Sequence, residues 1–144
     1  MAFAQSHAIT DICILVNDLE ASIHFYVSRL GFELVHKAPG FADFKGAGLT
    51  LAVWERSHIG RHAGVKAPPE SRAAALIAVR LPHPRDVDSC YDELAAEGII
   101  FVEPPADYPW NARCAYFYGP DGEVWELYAW RRGGAPGAVE AATQ

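Results

Sequence analysis

The stretch TDICILVNDLEASIHFYVSRLGFELV, residues 10 to 35, decides the fold. It opens with a strand-like run rich in Ile and Val, after which Asn17 or Asp18 can cap a helix. Apolar positions then recur at helical spacing, at Leu19, Ile23, Tyr26, Val27 and Leu30. Gly31 suits the left-handed residue that ends a helix, and FELVHKA follows as a second strand. The stretch therefore predicts a β-α-β unit.

The second half of the chain repeats this pattern in AALIAVRLPHPRDVDSCYDELAAEGIIFVEPP, residues 74 to 105. A strand over residues 74–81 leads to a helix that Asp86 caps and Gly98 ends, and IIFVE follows as a strand. Asp86 lies 68 positions after Asp18, and Gly98 lies 67 after Gly31. The two halves end alike, in FADFKGAGLTLAVW and CAYFYGPDGEVWELYAW, each of which predicts two strands across a glycine-bearing turn. Each half therefore predicts a βαβββ module.

These patterns place one module at residues 8–55 and the other at 73–130, with an inter-module loop at 56–72 and a flexible tail at 131–144. The fold class is α+β, with helices outside and paired modules forming a cupped mixed sheet. Because each sheet has one helix-covered face, the opposite faces are expected to curl around a shared hollow. The hollow is where chemistry is expected.

Composition limits the function classes. The formal net charge of −6 and a pI near 5.4 argue against a protein that binds nucleic acid, which needs a basic face. Three widely spaced cysteines form no disulfide framework and fit a reducing compartment. No signal peptide is predicted at the N-terminus, and no apolar run approaches the roughly 18 residues that span a bilayer. A cytoplasmic protein without a membrane partner is predicted.

The motifs LVNDLEASIHFYVSRLGFEL and YFYGPDGEVWELY resemble those of the vicinal oxygen chelate superfamily. That superfamily includes glyoxalase I, fosfomycin-resistance thiol transferases, extradiol dioxygenases and bleomycin-resistance proteins. The resemblance covers residues 8 to 130, and it implies paired βαβββ modules and a homodimer. It also implies, in metal-dependent members, a divalent ion bound by the first and last strands of each module. The fold itself does not specify the reaction.

The four positions that this resemblance assigns to metal ligands are Asp11, Ala52, Leu76 and Glu126, with Ala74 as the alternative to Leu76. Two carboxylates without His or Cys are a weak site for Zn, Fe or Ni. Mg or Mn would need more oxygen ligands. No cofactor is therefore expected, although Asp11 and Glu126 are the candidate ligands if a divalent metal binds. His58 and His62 could chelate only in a helix, and Gly60 and Gly64 favour a solvated loop there.

Side-chain alternation on the predicted strands indicates what the hollow contains. The candidate ligand-binding residues are Asp11, Cys13, Trp54, Trp110, Cys114, Tyr116, Tyr118, Glu126 and Tyr128, with Phe44 as a further candidate. Aromatic rings and carboxylates suit a planar or cationic organic ligand, although strand aromatics are just as often ordinary core. A buried Glu126 needs a partner: a ligand, a metal, Arg113, Arg80 or a tyrosine hydroxyl such as that of Tyr116.

The sequence thus favours a small-molecule binding protein resembling bleomycin-resistance proteins, which sequesters an aromatic or cationic drug or toxin without metal. The main alternative is an enzyme, a lyase, isomerase or dioxygenase-like member. Its catalytic candidates are Asp11 and Glu126, with or without a divalent ion. A sensor or pathway accessory protein is a third hypothesis. Cys13 and Cys114 are expected to be packing residues, since neither has an adjacent histidine.

Overall fold

The computed structural model describes residues 3–7, 9–64 and 75–134. The chain divides into two compact units, Met1–Ala73 and Ala74–Gln144. Each unit contains a four-stranded mixed sheet in which the first strand is parallel to the last and the other pairs are antiparallel. The predicted α+β class with mixed sheets is confirmed.

The first unit has its strands in the order β1-β4-β3-β2. Asp18 caps its main helix as predicted, since its carboxylate accepts a hydrogen bond from the Ala21 backbone N–H at 3.1 Å. The helix continues through a wider π-helical turn at His24–Arg29 and stops before Gly31, whose φ is 80°. The elements are α1 (Phe3–Ser6), β1 (Asp11–Val16), α2 (Leu19–Ile23), β2 (Glu33–Ala38), β3 (Phe41–Lys45), β4 (Thr50–Glu55) and α3 (Arg56–Ala63).

The second unit repeats this topology in the order β5-β8-β7-β6. Its helix begins at Pro84, and Gly98, with φ 90°, follows its end. The elements are β5 (Leu76–Arg80), α4 (Pro84–Ala96), β6 (Ala106–Tyr108), β7 (Ala112–Tyr118), β8 (Val124–Trp130) and a final 3-10 turn (Arg132–Gly134).

The strand register is the same in the two units. Ala52 on β4 pairs with Cys13 on one side and Asp43 on the other. Glu126 on β8 pairs in the same way with Ala78 and Tyr116. Residue 52 therefore corresponds to residue 126, as the matched glycine turns of the two halves predict.

One face of each sheet packs against its own helix and forms the core of that unit. In the first unit Phe44 is 1% exposed and lies 5.7 Å, between ring centroids, from Tyr26. In the second, Phe117 is 1% exposed and stacks on Trp125 at 6.1 Å. The prediction that Phe44 faces the hollow is wrong, because Phe44 alternates with Asp43 and belongs to the helix-covered face.

Three local predictions are corrected. Residues 56–63 of the predicted inter-module loop form helix α3, which ends at Gly64 with φ 70°, so Gly60 lies within the helix. Residues 99–103, which were predicted to form a strand, make a single bridge from Phe101 to Phe117. The strand that pairs with β7 at this edge is β6. Asp86 is not the cap itself but the third residue of α4, where its carboxylate accepts from the backbone N–H of His83 at 2.9 Å.

The rest of the predicted loop, residues 65–72, and residues 135–144 of the predicted tail lie outside the described residues. Within residues 3–7, 9–64 and 75–134, none of the helices has the length and apolar character needed to cross a bilayer.

Candidate functional site

One face of the second sheet points away from α4, and we call it the second-sheet face. It contains a carboxylate among aromatic rings. The burial of β8 alternates along its whole length, so one side packs in the core while the other is half-buried. The members of the second-sheet face on the three long strands are Leu76, Ala78, Arg80, Ala112, Cys114, Tyr116, Tyr118, Val124, Glu126, Tyr128 and Trp130. The sequence assigned five of these residues to the ligand site.

Tyr116 is the partner of Glu126. Its hydroxyl donates a hydrogen bond of 2.6 Å to Glu126 Oε2, directly across the β7–β8 ladder. Burial, and then this hydrogen bond, raise the pKa of the Tyr116 hydroxyl well above its usual range. Tyr116 therefore stays a proton donor, and it orients one carboxylate oxygen of Glu126.

Arg113, which the sequence also offered as a partner of Glu126, points to the opposite side of β7. Its guanidinium contacts both carboxylate oxygens of Asp88 on α4 at 2.7 Å and Asp107 at 3.1 Å. These contacts tie the helix-covered face together and leave Glu126 to the tyrosine.

Two further aromatic residues extend the surface at the β6–β7 hairpin. The Tyr108 and Trp110 rings stack with centroids 4.7 Å apart, and Tyr108 meets the Tyr116 ring edge-on at 6.0 Å. Asn111 closes the three-residue turn with φ 65°, a conformation that asparagine tolerates. The turn therefore presents Trp110 at a defined place, stacked on Tyr108, which in turn contacts the tyrosine that binds Glu126.

Further along β8 from Glu126, Tyr128 and Trp130 meet edge-on at 5.3 Å. Cys114 is fully buried, opposite Tyr128. Burial raises the pKa of the Cys114 thiol, and the charge of the Glu126 carboxylate raises it further. Hydrogen bonds from Tyr116 and Trp110 lower this pKa, but the net shift is upward. The thiol is thus a protonated packing group. Tyr118 is 59% exposed, at the far end of β7.

The turn before β8 explains how Glu126 is placed. Glu123 is fully buried, and its carboxylate accepts from the Asp121 backbone N–H at 3.2 Å. A side chain at residue 119 would collide with that carboxylate and displace it, so the glycine there leaves room for Glu123. The GPDGE segment is therefore a packed turn that sets the register of the strand bearing Glu126.

The remaining sequence-predicted residues, Asp11, Cys13 and Trp54, lie in the first unit on the equivalent face of its sheet, here the first-sheet face. Asp11 and Cys13 are exposed. The pKa of the Cys13 thiol is raised to about 11, although the residue as a whole is exposed. The main cause is partial burial of the thiol, and the charge of the Asp11 carboxylate adds to it. Trp54 meets Phe41 edge-on at 5.8 Å.

The sequence missed an acid on the first-sheet face. Asp43 accepts from the backbone N–H of His36 at 2.9 Å and from its Nδ1 at 3.0 Å, across the bulge between β2 and β3. The pair borders an open cavity of about 310 Å³ that Lys45 and Thr50 also line. Alternation along β3 could have revealed Asp43, and alternation along β8 could have added Trp130. Tyr108 was hidden because β6 was predicted too early in the chain.

No three His, Cys, Asp or Glu side chains converge as a metal site within the described ranges. Residues 58 and 62 do lie on a helix, with ring centroids 4.2 Å apart. However, the indole N–H of Trp54 donates to His58 Nδ1 at 3.0 Å, which places the proton of a neutral His58 on Nε2. Neither nitrogen of His58 then offers a lone pair for chelation.

Comparison with known proteins agrees with this architecture. The family model described as "Glyoxalase/Bleomycin resistance protein/Dioxygenase superfamily" matches residues 7–127. A glyoxalase/bleomycin resistance protein/dioxygenase from Nocardioides has a similar crystal structure, with 47% identity, a TM-score of 0.85, and coverage of 93% of this chain and 90% of that one. A glyoxalase-related enzyme from Fulvimarina pelagi shares the fold at 24% identity and a TM-score of 0.72, over 94% of this chain and 99% of that one.

Among characterised sequences, a bleomycin resistance protein from Geobacillus stearothermophilus is 29% identical over 115 residues, which cover 76% of this chain and 86% of that protein. The family model spans both units, including the strands that bear Asp43, Tyr116 and Glu126. The chain therefore belongs to the glyoxalase/bleomycin resistance protein/dioxygenase superfamily.

Proposed function

We propose that the protein binds an aromatic or cationic small molecule on the second-sheet face and sequesters it unchanged, without a metal. The observation that supports this most directly is the hydrogen bond between Tyr116 and Glu126 within a series of aromatic rings. A carboxylate attracts a cation, and aromatic faces stack on flat rings and attract cations as well. The likeness to a bleomycin resistance protein supports binding rather than turnover.

The geometry favours a flat ligand with its charge at one edge. Tyr116 occupies Glu126 Oε2, so the ligand's charged edge approaches Oε1. The stacked Tyr108–Trp110 pair lies on the β6–β7 hairpin and the Tyr128–Trp130 pair follows Glu126 along β8, so ring surface extends from the carboxylate across two parts of the same sheet. A planar ring that bears one positive charge can contact the Glu126 carboxylate and the aromatic rings at the same time.

The test compares two molecules of the same shape that differ in charge, the 1-methylquinolinium cation and neutral 1-methylnaphthalene. Binding is followed by tryptophan fluorescence and thermal stabilisation, with chelator present so that no metal contributes. The cation is expected to bind more tightly, and Glu126→Gln is expected to weaken its binding about tenfold, or ~1.4 kcal/mol. The neutral analogue should bind the wild type and Glu126→Gln equally.

Asp43→Asn is the matched control, because it removes one carboxylate from the first-sheet face and leaves Tyr116 and Glu126 intact. It should bind the cation as the wild type does. Equal losses in both variants would mean that overall charge, not this site, attracts the ligand. Recovery of a chemically altered ligand, or binding that is found only when the chelator is omitted, would favour the enzyme hypothesis. Bleomycin is the natural third probe.

A further inference from the structure

Trp54 and His58 meet in the first unit where β4 runs directly into α3. The Trp54 indole nitrogen lies 3.0 Å from Nδ1 of His58. An indole N–H can only donate, so His58 Nδ1 must be an unprotonated acceptor. This contact therefore exists only while the His58 imidazole is neutral.

Packing from other elements fixes the two rings. At Gly40, in the turn between β2 and β3, a Cβ would lie 2.5 Å from Cγ of His58, so the turn backbone closes on the imidazole. The φ of Gly40 is 72°, which is a second reason for glycine at that position. Phe41 meets Trp54 edge-on at 5.8 Å, and the His62 ring lies 4.2 Å from that of His58. The orientation of the indole is therefore built in and not a chance surface contact.

We propose that His58 is a positioning residue for Trp54 and makes the first-sheet face sensitive to acid. When His58 takes up a proton, both of its ring nitrogens become donors and neither can accept from the indole. The indole N–H then loses its partner, and the hydrogen bond no longer contributes to the orientation of Trp54. Because Trp54 is a large aromatic residue of that face, acid changes the surface that the first sheet presents.

Within residues 3–7, 9–64 and 75–134, the titratable groups on the elements that carry the Trp54–His58 contact lie on α3 and β4. On α3 they are His62, Arg61 and Arg56, and the guanidinium of Arg56 donates to Asn17 at 2.9 Å. On β4 the carboxylate of Glu55 accepts from the Leu19 backbone N–H at 3.2 Å. The turn and β3 contribute Gly40 and Phe41, which do not titrate. The other imidazole beside His58 is thus that of His62, with ring centroids 4.2 Å apart.

The test follows the indole N–H signals of the full chain by NMR between about pH 8 and pH 5, where histidines change charge. The Trp54 signal, identified by its loss in Trp54→Phe, is expected to move with the same midpoint as the His58 ring signals. At low pH it should reach the position that it has in His58→Ala at neutral pH. The other three tryptophans of the chain provide internal references.

His58→Gln supplies the decisive variant, because its amide oxygen can accept from the indole but does not titrate. The Trp54 signal should then be independent of pH, whereas in His62→Gln it should still titrate. A Trp54 signal that stays constant while His58 titrates in the wild type would overturn the proposal, as would one that titrates equally in His58→Gln. If His58→Gln does not fold, the comparison of the two wild-type midpoints decides alone.

Discussion

The two units have the same strand register but different chemistry on their helix-free faces. Position 52 of the first unit is alanine where position 126 of the second is glutamate. One strand over, position 43 is aspartate where position 116 is tyrosine. At these two matched positions the carboxylate therefore lies on β3 in one unit and on β8 in the other, while the ladders that position it are the same. The fold is thus a scaffold that does not itself determine where the acid lies.

The partners of the two acids differ as well. Asp43 binds His36, whose side chain is 74% exposed on the edge strand β2, so solvent and salt screen that pair. Glu126 binds Tyr116 beside stacked rings, where the lower local dielectric strengthens electrostatic contacts. The same charge is therefore worth more to a ligand on the second-sheet face, and that is why the proposed binding site is placed there.

The largest effect is expected where the two units are most alike, at their cores. Phe44 and Phe117 occupy equivalent positions, and each is 1% exposed. Replacing either with alanine removes a buried ring and leaves a cavity, so each change should lower the free energy of unfolding by about 3–5 kcal/mol. Urea denaturation followed by circular dichroism measures both.

Phe41→Ala is the control for these two substitutions, because Phe41 is a half-buried phenylalanine on the opposite face of β3. Its loss should cost clearly less. If Phe44→Ala and Phe117→Ala differed by more than the whole cost of Phe41→Ala, the equivalence of the two cores would not hold energetically.

The second prediction concerns the hydrogen bond found in the second unit. Tyr116→Phe removes the donor to Glu126 and should lower the free energy of unfolding by about 1–2 kcal/mol. Tyr118→Phe makes the same chemical change on the same strand at a residue that is 59% exposed, and it should stay within about 0.5 kcal/mol of the wild type. Equal effects of the two changes would remove any special role for the Tyr116 hydroxyl.

Alkaline pH tests the same contact. The folded-state pKa of Tyr116 is raised above its unfolded value, so the contribution of this contact is complete below about pH 10 and is lost as pH rises towards the folded pKa. Tyrosinate absorbance should therefore show Tyr116→Phe ionising as many tyrosines near pH 10 as the wild type does. One tyrosine fewer would mean that Tyr116 titrates normally.

The sequence predicted best what depends on local physics. Asp18 and Gly31 bound the helical stretch that begins with α2, because capping and the left-handed stop are properties of a few adjacent residues. Alternation placed Tyr116, Glu126 and Tyr128 on one face because the period of a strand is two residues. The repeat of the βαβββ topology followed from the same two kinds of pattern.

The failures involve features that depend on tertiary packing and on strand pairing. Arg56–Ala63 forms a helix in spite of Gly60 because Ile59 and Arg56 are buried and tertiary packing overrides propensity. The His36–Asp43 contact depends on a bulge, which shifts the register and cannot be read from alternation alone. The partner of Glu126 stayed open among a ligand, a metal, two arginines and a tyrosine hydroxyl, because strand pairing, not spacing, brings Tyr116 opposite to it.

The smallest predicted effect compares the ion pairs that connect each sheet to its own helix. In the second unit Arg113 contacts both oxygens of Asp88, and this hydrogen bond is the main cause of the lowered pKa of Asp88. In the first unit the Lys37–Glu20 pair has a single contact of 2.7 Å between side chains that are 48% and 71% exposed. Asp88→Asn should therefore cost up to about 1 kcal/mol, and Glu20→Gln about 0–0.5 kcal/mol.

Acid distinguishes the two ion pairs further. Because the folded pKa of Asp88 is depressed, its contribution is present at neutral pH and is lost as pH falls below about 4, through the unfolded and then the folded pKa. The stability difference between wild type and Asp88→Asn should shrink over that range when unfolding is measured at successive pH values. A difference that stayed constant down to acid pH would mean that the asparagine disturbs packing on α4, and that the charge of Asp88 is not what connects this helix to its sheet.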